Sequence, residues 1–445
     1  MLEYFGTDGI RGLAGGAIVN PSFASRLGVA AGIWAKKGKG ERPVVLIGRD
    51  TRRSGPDLVA GLASGFVSEN LEARSLGVLP TPALALAVAR EKACLGVMVT
   101  ASHNPASDNG FKLFDHLGHK LAPEDETFIE NALPDEATMD LPAAPDDIHE
   151  SLETYLEHLA TVVPEGSLRD WTIALDTAHG ATAKVSRIAL ENLGAAVEQI
   201  GDATGNELIN DGVGSEHPER LASLVQENEA CLGIAHDGDG DRVVFCDENG
   251  IIVEGDCILG ILALDARRRG VEGSSTLVTT DYANQGLDHS LREQGIIVER
   301  TDVGDRCVAA RMRMIGAAVG GEPSGHLILS EWSPAGDGPL AALVLARIML
   351  ESGQPLSQLK KCVTLFPSLS GAFPVAERIP LDGAGDLLER IKEQEKLLSD
   401  KGRVFVRYSG TELKIRLLVE ALDESLAREV FAAIEEVLRK ELKFL

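Results

Sequence analysis

Three aspartates alternate with two glycines in the run His236-Asp237-Gly238-Asp239-Gly240-Asp241-Arg242. Glycine tolerates positive φ, so the backbone can curl and let Asp237, Asp239 and Asp241 converge. Converging carboxylates repel each other unless a cation sits among them, and hard oxygen donors select Mg²⁺, Mn²⁺ or Ca²⁺ over zinc. The plain alternative is an acidic turn in an acidic protein. An EF-hand calcium loop does not fit, because Arg242 stands at the sixth position from Asp237, where that loop needs glycine, although Glu248 satisfies the twelfth.

A second group follows an apolar, strand-like run: Val99-Thr100-Ala101-Ser102-His103-Asn104-Pro105. There is no GxSxG elbow, so an esterase triad is not indicated. A seryl oxygen beside a divalent-ion site suits phosphoryl transfer, since an ion can hold a phosphoryl oxygen and offset charge that builds up in the transition state. His103 reads as a base, a phosphate donor or a packing residue. Lys112, ten residues after the serine, reads as a charge clamp, a general base or a structural lysine.

Three further loops carry polar groups. Gly6-Thr7-Asp8-Gly9-Ile10-Arg11-Gly12 presents Arg11, whose fork of donors matches phosphate. Gly321-Glu322-Pro323-Ser324-Gly325-His326 offers a carboxylate, a hydroxyl and an imidazole suited to sugar hydroxyls, or forms an ordinary surface turn. Arg407-Tyr408-Ser409-Gly410-Thr411-Glu412 makes a compact anion nest from an arginine, hydroxyls and exposed amides. It lacks the P-loop order GxxxxGK[ST], so a nucleotide is not indicated. Lys414 and Arg416 alternate on the following strand and share one face, either adding positive charge or standing in solvent.

These loops must be held by the elements around them. Strand-length apolar runs occur at 43–49, 94–100, 171–175, 232–235, 243–246, 276–280 and 297–300, and helical periodicity at 58–70, 148–162, 183–193, 284–294, 305–315 and 338–352. Strand, polar strand end and helix recur three times, which predicts α/β domains with parallel or mixed sheets. The last 80 or so residues differ: helix 385–398, strands 403–408 and 414–419, and helix 425–438 predict a smaller α+β domain. Boundaries are expected near Pro164, Gly255 and Pro367, giving units 1–163, 164–255, 256–367 and 368–445. Ligands in α/β units gather at the carboxyl ends of strands, which is where the unusual residues fall.

Composition narrows the partners. In 445 residues, 43 basic and 68 acidic side chains leave a charge of −25, which disfavours nucleic acid and anionic lipid but allows a local basic pocket for a small anion. Six cysteines without CxxC spacing read as buried free thiols of a reducing compartment. No leader-like start and no apolar run of 18 residues are present, which points to a cytoplasmic protein.

FGTDGIRG at 5–12, TASHNP at 100–105, DGDGDR at 237–242, VGDR at 303–306, GEPSGH at 321–326 and RYSGTE at 407–412 resemble, in order and over nearly the whole chain, the loops of the α-D-phosphohexomutase superfamily. The resemblance implies three α/β domains and a smaller C-terminal α+β domain around a central cleft. It implies Ser102 as a phosphoserine, with its oxygen joining Asp237, Asp239 and Asp241 on one Mg²⁺ per chain. Arg11, His103, Lys112 and Arg242 are then the polar and charged groups near the transferring phosphoryl, and His326 an acid–base helper. Glu322 and Ser324 read the sugar hydroxyls, and Arg407, Ser409, Gly410 and Thr411 grip the distal phosphate. The implied partner is a small phosphorylated sugar, with a sugar bisphosphate as intermediate or activator, no nucleic acid, no membrane, and room for a homodimer. FGTDGIRG, VGDR and the chain length favour glucosamine phosphate over mannose or glucose phosphate, whereas Pro323 matches the loop of neither substrate class. Tyr408 and Leu413 stand where the superfamily's last loop usually has prolines. A metal-dependent sugar phosphatase and a non-catalytic sugar-phosphate binder are the other readings.

Overall fold

A computed structural model of the chain describes residues 2–38, 42–136, 145–203, 208–378, 380, 385–408 and 413–441. The predicted strand 43–49 is observed as Arg42–Arg49, and 243–246, 276–280, 305–315, 338–352 and 385–398 form the predicted elements with those limits. The helix expected over 58–70 begins earlier, at Gly55, because Pro56 presets φ for a first helical turn and needs no hydrogen-bond partner there. Strands Ile10–Leu13 and Glu72–Val78 and helices Pro21–Ala35 and Thr81–Glu91 were not expected, although both helices are rich in apolar residues.

The first sheet runs in the order Ile10–Leu13, Asp108–Phe114, Ala93–Val99, Arg42–Arg49, Glu72–Val78. Its last three strands are parallel and Asp108–Phe114 runs antiparallel to both neighbours. All seven residues of Ala93–Val99 are buried, as expected of a central strand covered by helices on both faces. The second sheet repeats the plan with Ile252–Val253, Val243–Cys246, Leu232–His236, Thr172–Asp176 and Ala196–Ile200. The third has four strands, Ile297–Thr301, Thr276–Thr280, Val319–Gly321 and Leu327–Leu329. The expected mixed sheets are therefore present.

The chain divides into two compact units, Met1–Tyr282 with Glu299–Lys361, and Ala283–Val298 with Cys362–Leu445. The second holds the antiparallel sheet Ser368–Pro374, Lys414–Ala421, Gly402–Tyr408, packed against helices Gly385–Leu398 and Glu424–Glu441. Helix Gln285–Arg292 belongs to it as well: Asn284 exchanges hydrogen bonds with the backbone of Phe366, and the Gln285 amide donates to Glu420 at 2.9 Å. Cys94, Cys246 and Cys257 are buried, whereas Cys231, Cys307 and Cys362 are half-buried, which corrects the expectation for those three. Among the described residues no helix is long and apolar enough to cross a membrane.

One buried polar contact ties distant helices together. Tyr155, on helix Glu150–Leu159, is fully buried and donates to Asp337 Oδ1 at 2.6 Å, where Asp337 also caps helix Gly338–Ser352 by accepting from the Leu340 amide. Burial raises the Asp337 pKa to about 7. The neutral acid is therefore the form the fold favours, so this group's stabilisation is full below an ordinary carboxyl pKa of about 4 and fades as pH climbs to about 7. Asp337→Asn should consequently gain thermal stability relative to the parent as pH rises from 5 to 8. Parallel melting curves check this, and a gap that stays flat or shrinks would contradict it.

Candidate active site

The serine loop is built on an unusual backbone. Ser102 has φ of 54°, a left-handed conformation that a residue with a Cβ adopts only when its surroundings impose it. Those surroundings are polar and buried. The Ser102 amide donates to Thr100 Oγ1 at 2.9 Å, and Thr100 Oγ1 donates to Asp50 Oδ2 at 2.6 Å. Asp50 in turn pairs with Arg52 at 2.9 Å, both side chains fully buried. The Arg52 guanidinium then donates to four carbonyls of the loop: Ser102 and Asp108 at 2.9 and 2.8 Å, Asn104 at 2.8 Å, and Pro105. Its five N–H donors are thereby satisfied. Asn210, from the second sheet's side, adds bonds to the Ser102 and Asn104 carbonyls at 2.8 and 3.0 Å.

The aspartate loop lies directly against this serine. Strand Leu232–His236 ends at Asp237, and strand Val243–Cys246 resumes after Arg242. A Cβ on Gly238 would stand 2.7 Å from the Ser102 carbonyl oxygen, so glycine is what lets the two loops approach. Ser102 Oγ donates to Asp237 Oδ2 at 2.6 Å. Asp237 Oδ1 accepts from the amides of Gly240 and Arg242 at 3.1 and 3.2 Å. Asp239 Oδ2 accepts from Thr81 Oγ1 at 2.6 Å and from Lys112 at 2.8 Å, and Asp241 Oδ2 accepts from Lys112 at 2.6 Å.

Positive charge is unevenly spread over the cage: burial opposes the Asp241 carboxylate, but Lys112 and His326 outweigh it and hold its pKa well below the usual range, whereas Asp237 is not so matched. Each of the three aspartates offers an oxygen within 4.8 Å of the others', all buried. Burial, then the neighbouring Asp239 and Asp241 charges, pushes the Asp237 pKa up to about 7. Asp239 Oδ1 is buried without any hydrogen-bond partner. A buried, orphaned carboxylate oxygen between two further carboxylates fits a hard divalent cation with oxygen ligands. Burial opposes the charged form of Lys112, but Asp239, Asp241 and Asp8 outweigh it and hold the ammonium well protonated. A second cluster of possible ligand atoms, from Asp241, Asp305 and His326, shares one aspartate with the cage.

The remaining groups predicted from the sequence fall into three sets. The first surrounds the cage. His103 Nδ1 is 3.3 Å from Ser102 Oγ, and burial followed by the Arg242 and Arg11 charges lowers its pKa to about 4, leaving the imidazole neutral. Arg11 pairs with Asp8 and donates to Asn104 Oδ1 at 3.1 Å, while its Nε is buried and unpartnered. Arg242 Nη1 lies 3.3 Å from Glu216 Oε1. His326 Nε2 sits 3.0 Å from Asp241 Oδ1 and its Nδ1 3.2 Å from Glu322 Oε2. Burial works against the imidazolium, but Asp241 overrides it and raises the pKa to about 10.

The second set comprises Glu322, which is buried, and Ser324, which is exposed, on the loop between strands Val319–Gly321 and Leu327–Leu329. The third is in the C-terminal unit. Arg407 lies directly opposite Arg416 across the antiparallel pair, and burial followed by the Arg416 charge lowers its pKa. Ser409, Gly410 and Thr411 lie outside the described residues.

Sequence reasoning missed Asp50, Arg52, Thr81, Lys120 and Asn210. Asp8 shares a loop with Arg11, whose phosphate-matched fork is the stronger local signal. Arg52 and Asp50 had a weak signal, charged residues at the end of a buried strand, but nothing local says that they turn inward.

A serine hydroxyl on a left-handed turn, hydrogen-bonded into a buried three-carboxylate cage at strand ends, defines a phosphotransferase site of the cation-assisted kind. Matches to known proteins agree. Family models for phosphoglucomutase/phosphomannomutase cover residues 2–139 (α/β/α domain I), 153–250 (domain II), 254–366 (domain III) and 371–437 (C-terminal domain). The chain belongs to this family, within the α-D-phosphohexomutase superfamily, and its activity is that of a phosphohexomutase. Among its relatives, the phosphoglucosamine mutase of Solidesulfovibrio magneticus is 41% identical over 447 residues, covering 99% of each chain. Two solved structures share the fold. A phosphoglucomutase/phosphomannomutase family protein of Burkholderia thailandensis has a TM-score of 0.81 at 21% identity, over 100% of both chains. The Aspergillus fumigatus N-acetylphosphoglucosamine mutase, solved with GlcNAc-6P and magnesium, has a TM-score of 0.65 at 18% identity, over 99% of this chain and 96% of that one.

Proposed function

We propose that this protein interconverts glucosamine 6-phosphate and glucosamine 1-phosphate through a phosphorylated Ser102 and a sugar bisphosphate. The observation that carries the chemistry is the 2.6 Å bond between Ser102 Oγ and Asp237 Oδ2 inside the cage with Asp239 and Asp241. The substrate assignment is supported by the 41% identity with a phosphoglucosamine mutase over nearly the full chain.

Asp237, Asp239 and Asp241, with an oxygen of the phosphorylated Ser102, would hold one Mg²⁺, which would supply charge neutralisation at the transferring phosphoryl group. The residues then divide the work. A sugar hydroxyl gives up its proton to a base as its oxygen bonds to phosphorus. The P–O bond to Ser102 breaks, and the serine oxygen takes up a proton. His326, set between Asp241 and Glu322, serves as an acid–base group; Lys112 is the second candidate, because a cation on Asp239 and Asp241 would offset the charges that hold it protonated. Arg11, whose Nε lacks a partner, Arg242 and His103 face the phosphoryl oxygens. Glu322 and Ser324 read the sugar hydroxyls. Arg407, Ser409, Gly410 and Thr411 hold the phosphate that is not being transferred. The bisphosphate reorients, and its other phosphoryl group returns to Ser102, so no phosphate is lost. Activating water would discard that group.

Initial rates with glucosamine, glucose and mannose phosphates, primed with the matching 1,6-bisphosphate, test the reading. The expected result is the highest kcat/KM on glucosamine phosphate, no net phosphate release, and loss of turnover on metal chelation that Mg²⁺ restores. A preference for mannose or glucose phosphate would overturn the substrate, and stoichiometric phosphate release would establish a phosphatase instead.

A further inference from the structure

The VGDR segment at 303–306 is the one motif to which this chemistry gives no part. It opens helix Asp305–Ile315 behind the N-cap Gly304, which has φ of 124° and no side-chain cap bond. Asp305 suits the first turn of a helix, but Arg306 puts a cation there, where the helix dipole disfavours one. A charge that costs a helix stability is explained by a tertiary contact.

That contact reaches back to the serine-bearing part of the chain. Asp305, buried, pairs with Lys120 at 2.6 Å, and Lys120 also bonds Asp8 and lies 4.0 Å from Asp241. Arg306 pairs with Glu126 at 2.5 Å, with the Glu126 side chain only 6% exposed. The Gly304 amide links these pairs to the sugar-reading loop, donating to Glu322 Oε1 at 3.0 Å. Glu322 leads through His326 to Asp241 and so back to the cage.

We propose that Asp305 and Arg306 are positioning residues, forming a two-pronged ion-pair clasp with Lys120 and Glu126 that fixes, through the Gly304 amide, where Glu322 meets the sugar relative to Ser102. The proposal rests on the sugar-phosphate reading above. The clasp touches no reacting atom; it sets the distance between the group that reads the sugar and the group that phosphorylates it. Loosening it should weaken sugar binding and let the bisphosphate escape before it has turned over.

Charge exchange at the outer pair tests this in the full-length protein. Arg306→Glu and Glu126→Arg should each lower kcat/KM about tenfold, chiefly through KM, and raise the dependence on added sugar 1,6-bisphosphate. The double variant R306E/E126R should recover most of the loss, and Arg306→Lys should keep KM within about twofold, since it retains the charge. Hydrogen exchange at the Gly304 amide should quicken in the single variants and slow again in the double. A double variant that regains the parent melting temperature but not its KM would reduce the pair to a purely structural role, as would single variants with unchanged KM and exchange. The exchange measurement reads the clasp whichever sugar phosphate is used. A parent protein that turns over no hexose phosphate would overturn the mutase reading, while leaving the exchange result to decide the clasp.

Discussion

Ser102→Ala removes sustained mutase turnover, with kcat falling about 10³-fold or more, because no other group lies where the phosphoryl must be parked between the two transfers. The hydroxyl donates a single hydrogen bond into the cage, to Asp237, at 2.6 Å. Its loss frees one carboxylate oxygen but leaves the amide, Arg52 and Asn210 contacts of the loop in place. The variant should therefore fold like the parent and still bind sugar phosphate. Intact mass after incubation with the sugar 1,6-bisphosphate should show the parent about 80 Da heavier than its dephosphorylated form and the variant unchanged. Turnover at the parent rate, or a phosphorylated variant, would place the acceptor elsewhere.

Arg52→Lys carries the second large effect, although Arg52 reaches no reacting atom. A lysine can still face Asp50, but an ammonium has three donors where the guanidinium makes five bonds in a fixed fork. At least two of the four bonds to loop carbonyls are then lost, and although Asn210 still donates to the Ser102 and Asn104 carbonyls, each lost bond costs about 0.5–1.5 kcal/mol. Arg52→Met goes further: it abandons the buried Asp50 carboxylate, costing about 3–5 kcal/mol. Because the left-handed Ser102 backbone persists only while its surroundings impose it, the lysine variant should lose about 10²-fold in kcat at temperatures well below its melting point. Calorimetry paired with kcat measurement separates the two effects. Parent-like kcat in a destabilised Arg52→Lys protein would show that the guanidinium serves stability alone.

The contrast between these two residues marks how far the chain could be read before it was folded. Ser102 and the aspartates were legible because their chemistry is local. Glycines at alternate positions let carboxylates converge within one loop, and a hydroxyl just past a buried strand is presented at the strand's carboxyl end. Helices Asp305–Ile315 and Gly338–Ser352 were legible for a similar reason, their periodicity being a property of consecutive residues. Strand Glu72–Val78 was not, because Glu72, Arg74 and Ser75 interrupt its apolar residues and it becomes a strand by pairing with Arg42–Arg49. Cysteine burial also failed as an inference from composition, since Cys307 and Cys362 end up half-buried.

What the amino-acid sequence determined by itself is the set of reacting groups: three oxygen-donor aspartates, one serine, arginines suited to phosphate, and the strand-and-helix rhythm that puts them at strand ends. Only the tertiary structure decided that the serine and aspartate loops meet, since they are 135 residues apart and come together through Gly238. The same is true of Arg52, which spans four loop carbonyls, and of Lys120 and Glu126, which hold Asp305 and Arg306. The physical reason is that a charged side chain carries no local mark of its destination. Whether it ends in water or buried in an ion pair depends on which distant partners the packed sheets and helices bring within hydrogen-bond reach.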